Sequence, residues 1–210
     1  MKNGLYRIVG CLFCLVVGLS HAGYNPNQDK VGWITKLEGP LTSVNGKAIT
    51  AIINEANIEG ISFVIIQIDT PGGRADALRE LVKAVLISRV TIVTFVGPPG
   101  ARSASAGTYL VLSSHVAAMA PSTNIGSSTP IMVNAIDQDG DMRNKMMNDS
   151  AAYIRGLASQ RGRNAEWAEQ SVRDGANITS EEALELNVID FITPSIPELL
   201  KQFDGVKINV

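Results

Sequence analysis

Cysteine and histidine are almost absent from this chain of 210 residues. The two cysteines, Cys11 and Cys14, lie near the N-terminus, in a segment with the features of a secretory leader. A mature chain without that leader has no disulfide, no thiolate nucleophile and no cysteine metal site. It keeps a single histidine, His115, so any Ser-His-Asp triad would have to use that residue.

The N-terminal segment has the three regions of a secretory signal peptide. Lys2 and Arg7 make its start positive, residues 8–19 are apolar, and small residues precede a cleavage site after Ala22. The apolar run is too short to span a bilayer as a helix, which takes about 20 residues. We therefore predict a signal peptide over residues 1–22. An uncleaved anchor and a lipoprotein modified at Cys11 are the alternatives.

The charge balance is slightly acidic. The chain has 18 basic and 20 acidic residues, and cleavage of the leader removes two of the basic ones. The chain has no excess of basic residues, so its charge does not indicate nucleic acid as a partner. After the leader we predict a flexible polar segment at 23–30 and one domain at 31–210, because a chain of this length can bury a core of its own.

Apolar patterns alternate between strands and helices along the predicted domain. Nearly continuous apolar runs are typical of strands buried on both faces of a parallel sheet. We predict strands at 31–37, 62–69, 90–96, 116–120 and 188–192. We predict helices at 48–57, 74–88, 105–114, 143–161 and 164–173. This alternation predicts an α/β fold with right-handed crossovers.

Two further local signals bear on the second half of the chain. Thr179 and Glu182 have the spacing of a capping box, and the helix that they begin should end near Asn187, a residue type that tolerates left-handed backbone. Residues 124–141 are polar and irregular, so we predict a mobile loop that lines a site.

Two segments have the local chemistry of a serine nucleophile site. Residues 68–73 are the end of a buried strand and a Pro-Gly-Gly turn, and residues 98–109 are a Pro-Pro-Gly cluster followed by small residues with two serines. A serine nucleophile needs a sharp turn, small neighbours and exposed N–H groups for an oxyanion. Glycines let a peptide approach those N–H groups closely.

The chain resembles the NfeD family of ClpP-class membrane serine peptidases in three segments, residues 69–76, 98–109 and 118–126. They are more distantly similar to the proteolytic subunit of Clp protease and to signal peptide peptidase A. The resemblance extends over residues 31–200 and keeps the motifs in order. It implies a ClpP/crotonase-type α/β fold with a mostly parallel sheet and flanking helices, in a single domain.

The resemblance implies that Ser105 is the nucleophile, in the family pattern of a small residue, serine, a small residue and glycine. Ser103 is the competing serine; the family pattern does not favour it, and it should point elsewhere on the turn. The composition by itself leaves another interpretation open, in which both serines with Ala106 and Gly107 are small residues for close helix–sheet packing.

The general base requires a choice between two residues. His115 lies at the far end of the predicted helix from Ser105, about 15 Å away at 1.5 Å per residue, so we expect it to pack or cap there. A lysine can act instead when burial in an apolar site lowers the pKa of its ammonium. The resemblance implies a Ser-Lys dyad with Lys145 as the base and apolar Met146 and Met147 beside it. The alternative is an ordinary solvated lysine on a helix.

The oxyanion hole should use backbone N–H groups of Gly72, Gly73 and Ala106. Asp69 and Asp76 receive no catalytic role, since an Asp before a Pro turn commonly bonds local backbone N–H groups. The sequence has no phosphate loop, zinc spacing or paired-carboxylate signature. No cofactor is expected.

The predicted function is that of a serine endopeptidase, periplasmic or secreted, with or without membrane association. The resemblance implies that its substrates include hydrophobic segments of membrane-associated stomatin-like proteins, and that the chain forms a homo-oligomer, either a dimer or a larger assembly. The alternatives are an inactive scaffold that binds stomatin-like partners and an acyl-CoA-binding crotonase-type enzyme, against which the leader argues.

One difference from the family pattern concerns length. Long family members continue into several membrane helices and a further small soluble domain, whereas this chain ends at Val210. A truncated form, a gene fragment and a soluble variant are all open interpretations.

Overall fold

The structure is a computed structural model that describes residues 31–131 and 140–203. The predicted signal peptide at 1–22 and the predicted flexible segment at 23–30 lie outside the described residues, as does part of the predicted mobile loop, at 132–139. Within the described ranges, no helix combines the length and the apolar character needed to cross a membrane.

The described residues form eight strands, numbered here in chain order. They are β1 (Gly32–Glu38), β2 (Phe63–Asp69), β3 (Thr91–Val96), β4 (Arg102–Ala104), β5 (Val116–Met119), β6 (Asn124–Gly126), β7 (Asn177–Thr179) and β8 (Phe191–Ile192). Five of them make one sheet in the order β1-β2-β3-β5-β8, and every neighbouring pair in it is parallel. The predicted α/β class with a mostly parallel sheet is confirmed.

Helices cover both faces of this sheet in the part of the chain that the structure describes. They are α1 (Ser43–Glu59), α2 (Ala75–Leu86), α3 (Ala106–Ser113), α4 (Gly140–Gln160), α5 (Ala165–Arg173), α6 (Ser180–Glu185) and α7 (Ile196–Phe203). The larger part of the core packs α1 to α6 against one face. On the other face α7 covers a smaller cluster through Leu199, which is fully buried.

The parallel arrangement brings the ends of the strands to one edge of the sheet. Asp69 at the end of β2 pairs with Glu38 at the end of β1, and Val96 at the end of β3 pairs with Met119 of β5. The loops that follow these strands therefore lie together. In open parallel sheets the carboxyl ends of the strands are where ligands bind.

A second sheet of three short strands lies beside this edge. β4 and β6 pair in parallel, and β7 joins β6 in antiparallel orientation. A bridge between Thr70 and Ser103 connects it to the end of β2. The sequence patterns missed this sheet and α7, because strands of three residues have too little periodicity to recognise.

The predicted strand at 188–192 is also shorter in the structure, where only Phe191–Ile192 is strand. Val188 and Ile189 are apolar because they are buried in a turn, in which both N–H groups donate to Ala183 O. By contrast the predicted capping box at Thr179 and the left-handed backbone of Asn187, with φ 57°, are both confirmed.

Arg163 ties the end of α3 to the last part of the sheet. Its side chain is 3% exposed and forms an ion pair of 2.8 Å with Asp190. It also donates to the carbonyls of Leu112 at 3.2 Å and Ser114 at 2.7 Å. These are carbonyls that a helix leaves free at its C-terminus, where a cation is favoured.

Replacement of Arg163 should destabilise the domain strongly. Arg163→Met leaves the helix-end carbonyls without their donor and Asp190 with the N–H of Ala117 but without its cation, so we expect a loss of about 3 kcal/mol in the free energy of unfolding, measured in urea by circular dichroism. The matched control is Arg155→Met, which removes an exposed ion pair with Glu169 and should cost at most about 1 kcal/mol. Equal losses in the two variants would contradict the anchoring role.

Candidate active site

Ser105 joins β4 to α3 in a backbone conformation that few residues adopt. Its φ is 52° and its ψ is −115°, a region that glycine occupies easily and other residues do not. Holding a serine there costs on the order of 1–3 kcal/mol, and strain of this kind concentrates at functional sites. A sharp strand-to-helix turn is also how many hydrolases present a nucleophilic serine.

Hydrogen bonds from two directions hold this turn in place. Ser105 N–H donates to Gly126 O at 2.9 Å, and Ser105 O accepts from Thr108 N–H at 2.9 Å. Thr108 Oγ1 also donates to Ser103 O at 2.9 Å and to Gly126 O at 3.0 Å. The second sheet and the first turn of α3 therefore fix the conformation of Ser105 together.

Ser103 faces away from the site, as expected. It is fully buried and is not among the described residues that line the cleft around Ser105. A Cβ placed on Gly107 would come within 2.6 Å of Ser103 Oγ. The Ser103 hydroxyl therefore lies in the contact between α3 and the strands.

The Pro-Gly-Gly turn lies directly against Ser105. A Cβ on Gly72 would come within 2.6 Å of Ser105 Cβ, and a Cβ on Gly73 would come within 2.2 Å of Leu41 O. Real Cβ atoms do not approach other atoms this closely, so both positions require glycine for close approach of the backbone.

Two of the three predicted oxyanion donors are unpaired. Gly73 and Ala106 line the cleft, and their N–H groups donate to no acceptor in the described part of the chain. Gly72 differs, because its N–H donates to Thr70 Oγ1 at 3.1 Å. The prediction of an oxyanion donor at Gly72 is therefore corrected. Glycine at this position lets the turn approach Ser105 closely.

A cleft of about 980 Å³ opens beside Ser105. Arginines and an aspartate lie in its lining, but much of its surface is apolar. The larger apolar side chains of the lining are Leu41, Leu78, Tyr109, Ile131, Met146 and Tyr153. The space is large enough for several residues of a peptide, and small-molecule sites commonly fall in the same size range.

One side of the cleft is the face of α4 that packs on α2 and α3. Arg79 on α2 pairs with Asp149 of α4 and lies 4.4 Å from the centre of the Tyr153 ring. The Tyr153 ring in turn packs on Tyr109 of α3 with 5.8 Å between ring centres. Burial raises the pKa of Tyr109 to about 12, so its phenol stays protonated and is no candidate base.

Lys145 lies on α4, about one turn before Asp149, and is exposed. The next residue, Met146, lines the cleft, whereas Lys145 is not among the lining residues that the structure describes. No hydrogen bond joins Lys145 to Ser105 within the described ranges. The structure therefore places Lys145 beside the cleft, on a helix that forms one of its walls, and its role as the base stays a prediction.

His115 has a structural environment away from the cleft. Its Nδ1 accepts from Ile92 N–H at 2.9 Å, and its Nε2 lies 3.1 Å from Arg161 Nη2. Burial, with the charges of Arg161 and Arg163, lowers the pKa of His115 to about 4. The expectation of a packing residue at the end of the helix agrees with this environment.

The two aspartates near the glycine turn also have structural partners. Asp69 Oδ1 accepts from Arg102 N–H at 3.2 Å. The donor belongs to the second sheet and not to the local backbone, which is the partner that the sequence predicts. Asp76 forms an exposed ion pair of 2.6 Å with Arg74, whose hydrogen bond lowers the pKa of Asp76. Neither carboxylate lines the cleft among the described residues.

The chain after β6 forms one wall of the cleft, and the sequence did not predict which of its residues line the site. Residues 127–131 line the cleft, in the region predicted only as an irregular loop. Their positions depend on partners far along the chain: Thr129 Oγ1 donates to Val172 O at 2.8 Å, and Ser127 N–H donates to Ala176 O at 2.9 Å. Contacts of this kind leave no local signal.

Three features define the class of the domain: the parallel sheet, the strained serine at the start of a helix, and the unpaired N–H groups of Gly73 and Ala106 in the same cleft. It is an α/β domain of the ClpP type with the geometry of a serine nucleophile site. The chain belongs to the family described as NfeD1b, N-terminal domain, whose model matches residues 41–202.

Individual relatives are similar over most of the chain. The membrane-bound protease PH1510 of Pyrococcus horikoshii is 39% identical over 181 residues, which are 85% of this chain and 41% of that protein. This chain thus spans less than half of that relative's length. Two solved structures of the 1510-N membrane-bound stomatin-specific protease superpose well.

The first of these structures is a lysine-to-alanine variant in complex with a substrate peptide. It is 37% identical and has a TM-score of 0.78, over 86% of this chain and 83% of that one. The second is a serine-to-alanine variant with 38% identity and a TM-score of 0.76, over 83% and 85% of the two chains. The likeness to the NfeD family and to the ClpP-type fold is confirmed.

The low pKa of His115 predicts how stability changes with pH. An unfolded histidine has a pKa near 6.5, so between about pH 6.5 and 4 the unfolded chain binds a proton that the folded protein excludes. Stability should therefore fall as the pH drops through this range. In His115→Asn, which keeps an acceptor for Ile92 N–H, urea midpoints should fall less over the same range. An unchanged slope would contradict the buried neutral imidazole.

Proposed function

We propose that this chain is the proteolytic domain of a serine endopeptidase that acts outside the cytoplasm through a dyad of Ser105 and Lys145. The observation that carries the proposal is the strained backbone of Ser105 beside two unpaired N–H donors. A packing serine has no use for unpaired N–H donors beside it, whereas a nucleophile needs them to stabilise the oxyanion, and backbone strain of this kind concentrates at functional sites.

The choice of Lys145 as the base rests on elimination and on the relatives. His115 is held elsewhere, and Asp149, the carboxylate in the described cleft lining, pairs with Arg79. The two solved variants of the relative change one serine and one lysine. In the relative, the lysine follows the serine by nearly the same number of residues as Lys145 follows Ser105 in this chain.

The exposed position of Lys145 is compatible with this role once substrate is bound. A base must be neutral, and water around an ammonium favours the charged form. Met146, the next residue, lines the cleft, so a substrate that fills the cleft would exclude water from this end of α4.

In the proposed reaction each residue has one role. Ser105 Oγ attacks the scissile carbonyl carbon while the Lys145 amine takes the hydroxyl proton. The N–H groups of Gly73 and Ala106 stabilise the oxyanion. The ammonium then gives its proton to the departing amine as the C–N bond breaks, and water hydrolyses the acyl-enzyme by the same steps.

The proposed substrates are hydrophobic segments of membrane-associated, stomatin-like proteins. The apolar lining of the cleft suits such segments, and the relatives of known structure are described as stomatin-specific. The periplasmic or secreted location and the membrane association stay predictions, which cell fractionation can test. The homo-oligomer, dimeric or larger, also stays a prediction, which light scattering can test.

Replacement of the nucleophile should abolish activity. Ser105→Ala should lower cleavage of a purified stomatin homologue by about 10⁴-fold or more, because the attacking atom is gone. A fluorophosphonate should label Ser105 in the wild-type chain, as mapped by mass spectrometry. Ser103→Ala is the matched control and should keep most of its activity. A folded, active Ser105→Ala enzyme would reject the assignment.

Replacement of the base should be equally informative. Lys145→Ala should abolish cleavage, since the group that accepts the Ser105 proton is gone. Lys145→Arg should be nearly inactive because a guanidinium does not lose its proton, while His115→Ala should lose little beyond stability. An active Lys145→Ala enzyme next to a folded but inactive His115→Ala enzyme would exclude the Ser-Lys mechanism.

A further inference from the structure

Arg102 is a cleft residue whose charged group has no partner. It is exposed and lines the cleft, and within residues 31–131 and 140–203 its guanidinium makes no hydrogen bond and no ion pair. The carboxylate of Asp69 contacts this residue, but it accepts from the backbone N–H, at 3.2 Å. The N–H donors of the guanidinium are therefore available to a ligand in the cleft.

The alternation of side chains along β4 directs Arg102 into the cleft. Successive side chains of a strand point to opposite faces. Ser103 is fully buried and is not among the described lining residues, whereas Arg102 and Ala104 both line the cleft. The side chain of Arg102 therefore lies on the same face of β4 as Ala104, the residue that precedes Ser105.

The other charged side chains of the described lining are paired. Arg74 forms an ion pair of 2.6 Å with Asp76, and Arg79 forms one with Asp149. Arg102 is thus the cation of this lining that lacks a counter-charge. The chain as a whole has a net charge of −2, so an unbalanced positive charge in the cleft runs against the overall balance. A charge in a cleft attracts ions of the opposite sign more strongly than the same charge on a flat surface.

The cleft has a polar side, on which Arg102 lies, and an apolar side. The second sheet contributes Arg102 and Asn124, which are paired across β4 and β6, and Asn177, whose Oδ1 accepts from Asn124 Nδ2 at 2.8 Å. The large apolar side chains that helices contribute to the lining are Leu78, Tyr109, Met146 and Tyr153. Because Ser105 joins β4 to α3, the nucleophile lies at the boundary between the two sides.

The distance along the chain places Arg102 close to the reaction. It precedes Ser105 by three residues, and three residues of extended backbone span at most about 11 Å. A bound substrate in extended conformation has the same rise per residue. A group that Arg102 holds therefore belongs to a substrate residue within about three positions of the scissile bond.

Other donors near the cleft have different chemistry. The hydroxyl of Ser127 and the N–H groups of Thr129 and Ile131 can bond a peptide carbonyl, but they carry no charge and do not favour Glu over the similarly shaped Gln. Lys145 is a cation, but it is not among the described lining residues. A guanidinium binds a carboxylate through two parallel N–H···O bonds, which makes Arg102 selective for that group.

We propose that Arg102 binds a carboxylate of the substrate, on the side of the scissile bond away from the apolar side chains of the cleft. The inference rests on the proposed function and adds a specificity-determining residue to it. The carboxylate is either the side chain of Asp or Glu or the C-terminus of the substrate. The favoured substrate is thus an apolar segment with a negative charge close to one side of the cleaved bond.

The test compares fluorogenic peptides with blocked termini, an apolar core, and Glu or Gln at each of the three positions on either side of the cleaved bond. On one side, kcat/KM should be about fivefold higher for Glu than for Gln, and Arg102→Gln should abolish this preference. High salt should weaken it, because ions screen an exposed pair. A Gln peptide with a free C-terminus shows whether a terminal carboxylate has the same effect.

Arg74→Gln is the matched control. It also removes a positive charge from the cleft lining, but one that is already paired with Asp76, so the preference for a carboxylate should persist. An equal loss in Arg74→Gln and Arg102→Gln would mean that the general field of the cleft acts, and would overturn the inference. A wild-type chain that gains from neither carboxylate source, or a preference that survives in Arg102→Gln, would overturn it as well.

A binding measurement separates this inference from the proposed mechanism. In a Ser105→Ala background, Arg102→Gln should weaken the Kd of the preferred carboxylate peptide about fivefold and leave that of its neutral counterpart unchanged, as measured by fluorescence anisotropy. If the wild-type chain binds these peptides without cleaving them, the proposed function fails while this comparison still decides the carboxylate site. An equal change for both peptides would overturn the site.

Discussion

The site depends on one close approach, that of the Gly72–Gly73 turn to the turn at Ser105. The backbone atoms come so near that a Cβ at Gly72 would collide with Ser105 Cβ. Gly73 of this turn and Ala106, the residue after Ser105, line the same cleft with unpaired N–H groups. A preorganised pair of donors stabilises an oxyanion without further movement of the protein, which is where most of the catalytic benefit of such sites arises.

The second sheet helps to hold Ser105 in its strained conformation. Its strand β6 accepts the Ser105 N–H through Gly126, and Gly126 itself is closely covered, since a Cβ there would lie 2.1 Å from Ala176 O. A small sheet with few apolar residues thus has a large role in geometry. Strain persists only where the surrounding structure determines it more than once, and here a strand and a helix turn both do.

The cleft combines an apolar lining with polar side chains that mostly bond to one another or to the neighbouring backbone. Arg79 pairs with Asp149, Ser127 Oγ accepts from Asn177 of the same lining, and Thr129 Oγ1 donates to Val172 O. The N–H groups of Gly73 and Ala106 are unpaired within the described residues. A substrate without polar side chains loses little on entering such a cleft, and its main chain meets the few partners that remain.

The sequence by itself determined the strands and helices of the large sheet, because long apolar runs and helical stripes have a period that can be recognised. It also determined the glycine turn and, through the family resemblance, the serine at Ser105. It could not determine β4, β6 and β7, since their pairing joins short segments far apart in the chain.

Tertiary structure alone decided the finer points of the site. It withdrew Gly72 as a donor by pairing its N–H with Thr70, and it left Gly73 and Ala106 unpaired. It also placed Ser128 in the cleft wall and Lys145 on an exposed part of α4 beside the cleft. Which N–H is free and which hydroxyl is buried depends on neighbours contributed by distant segments, and no local pattern of residues encodes those neighbours.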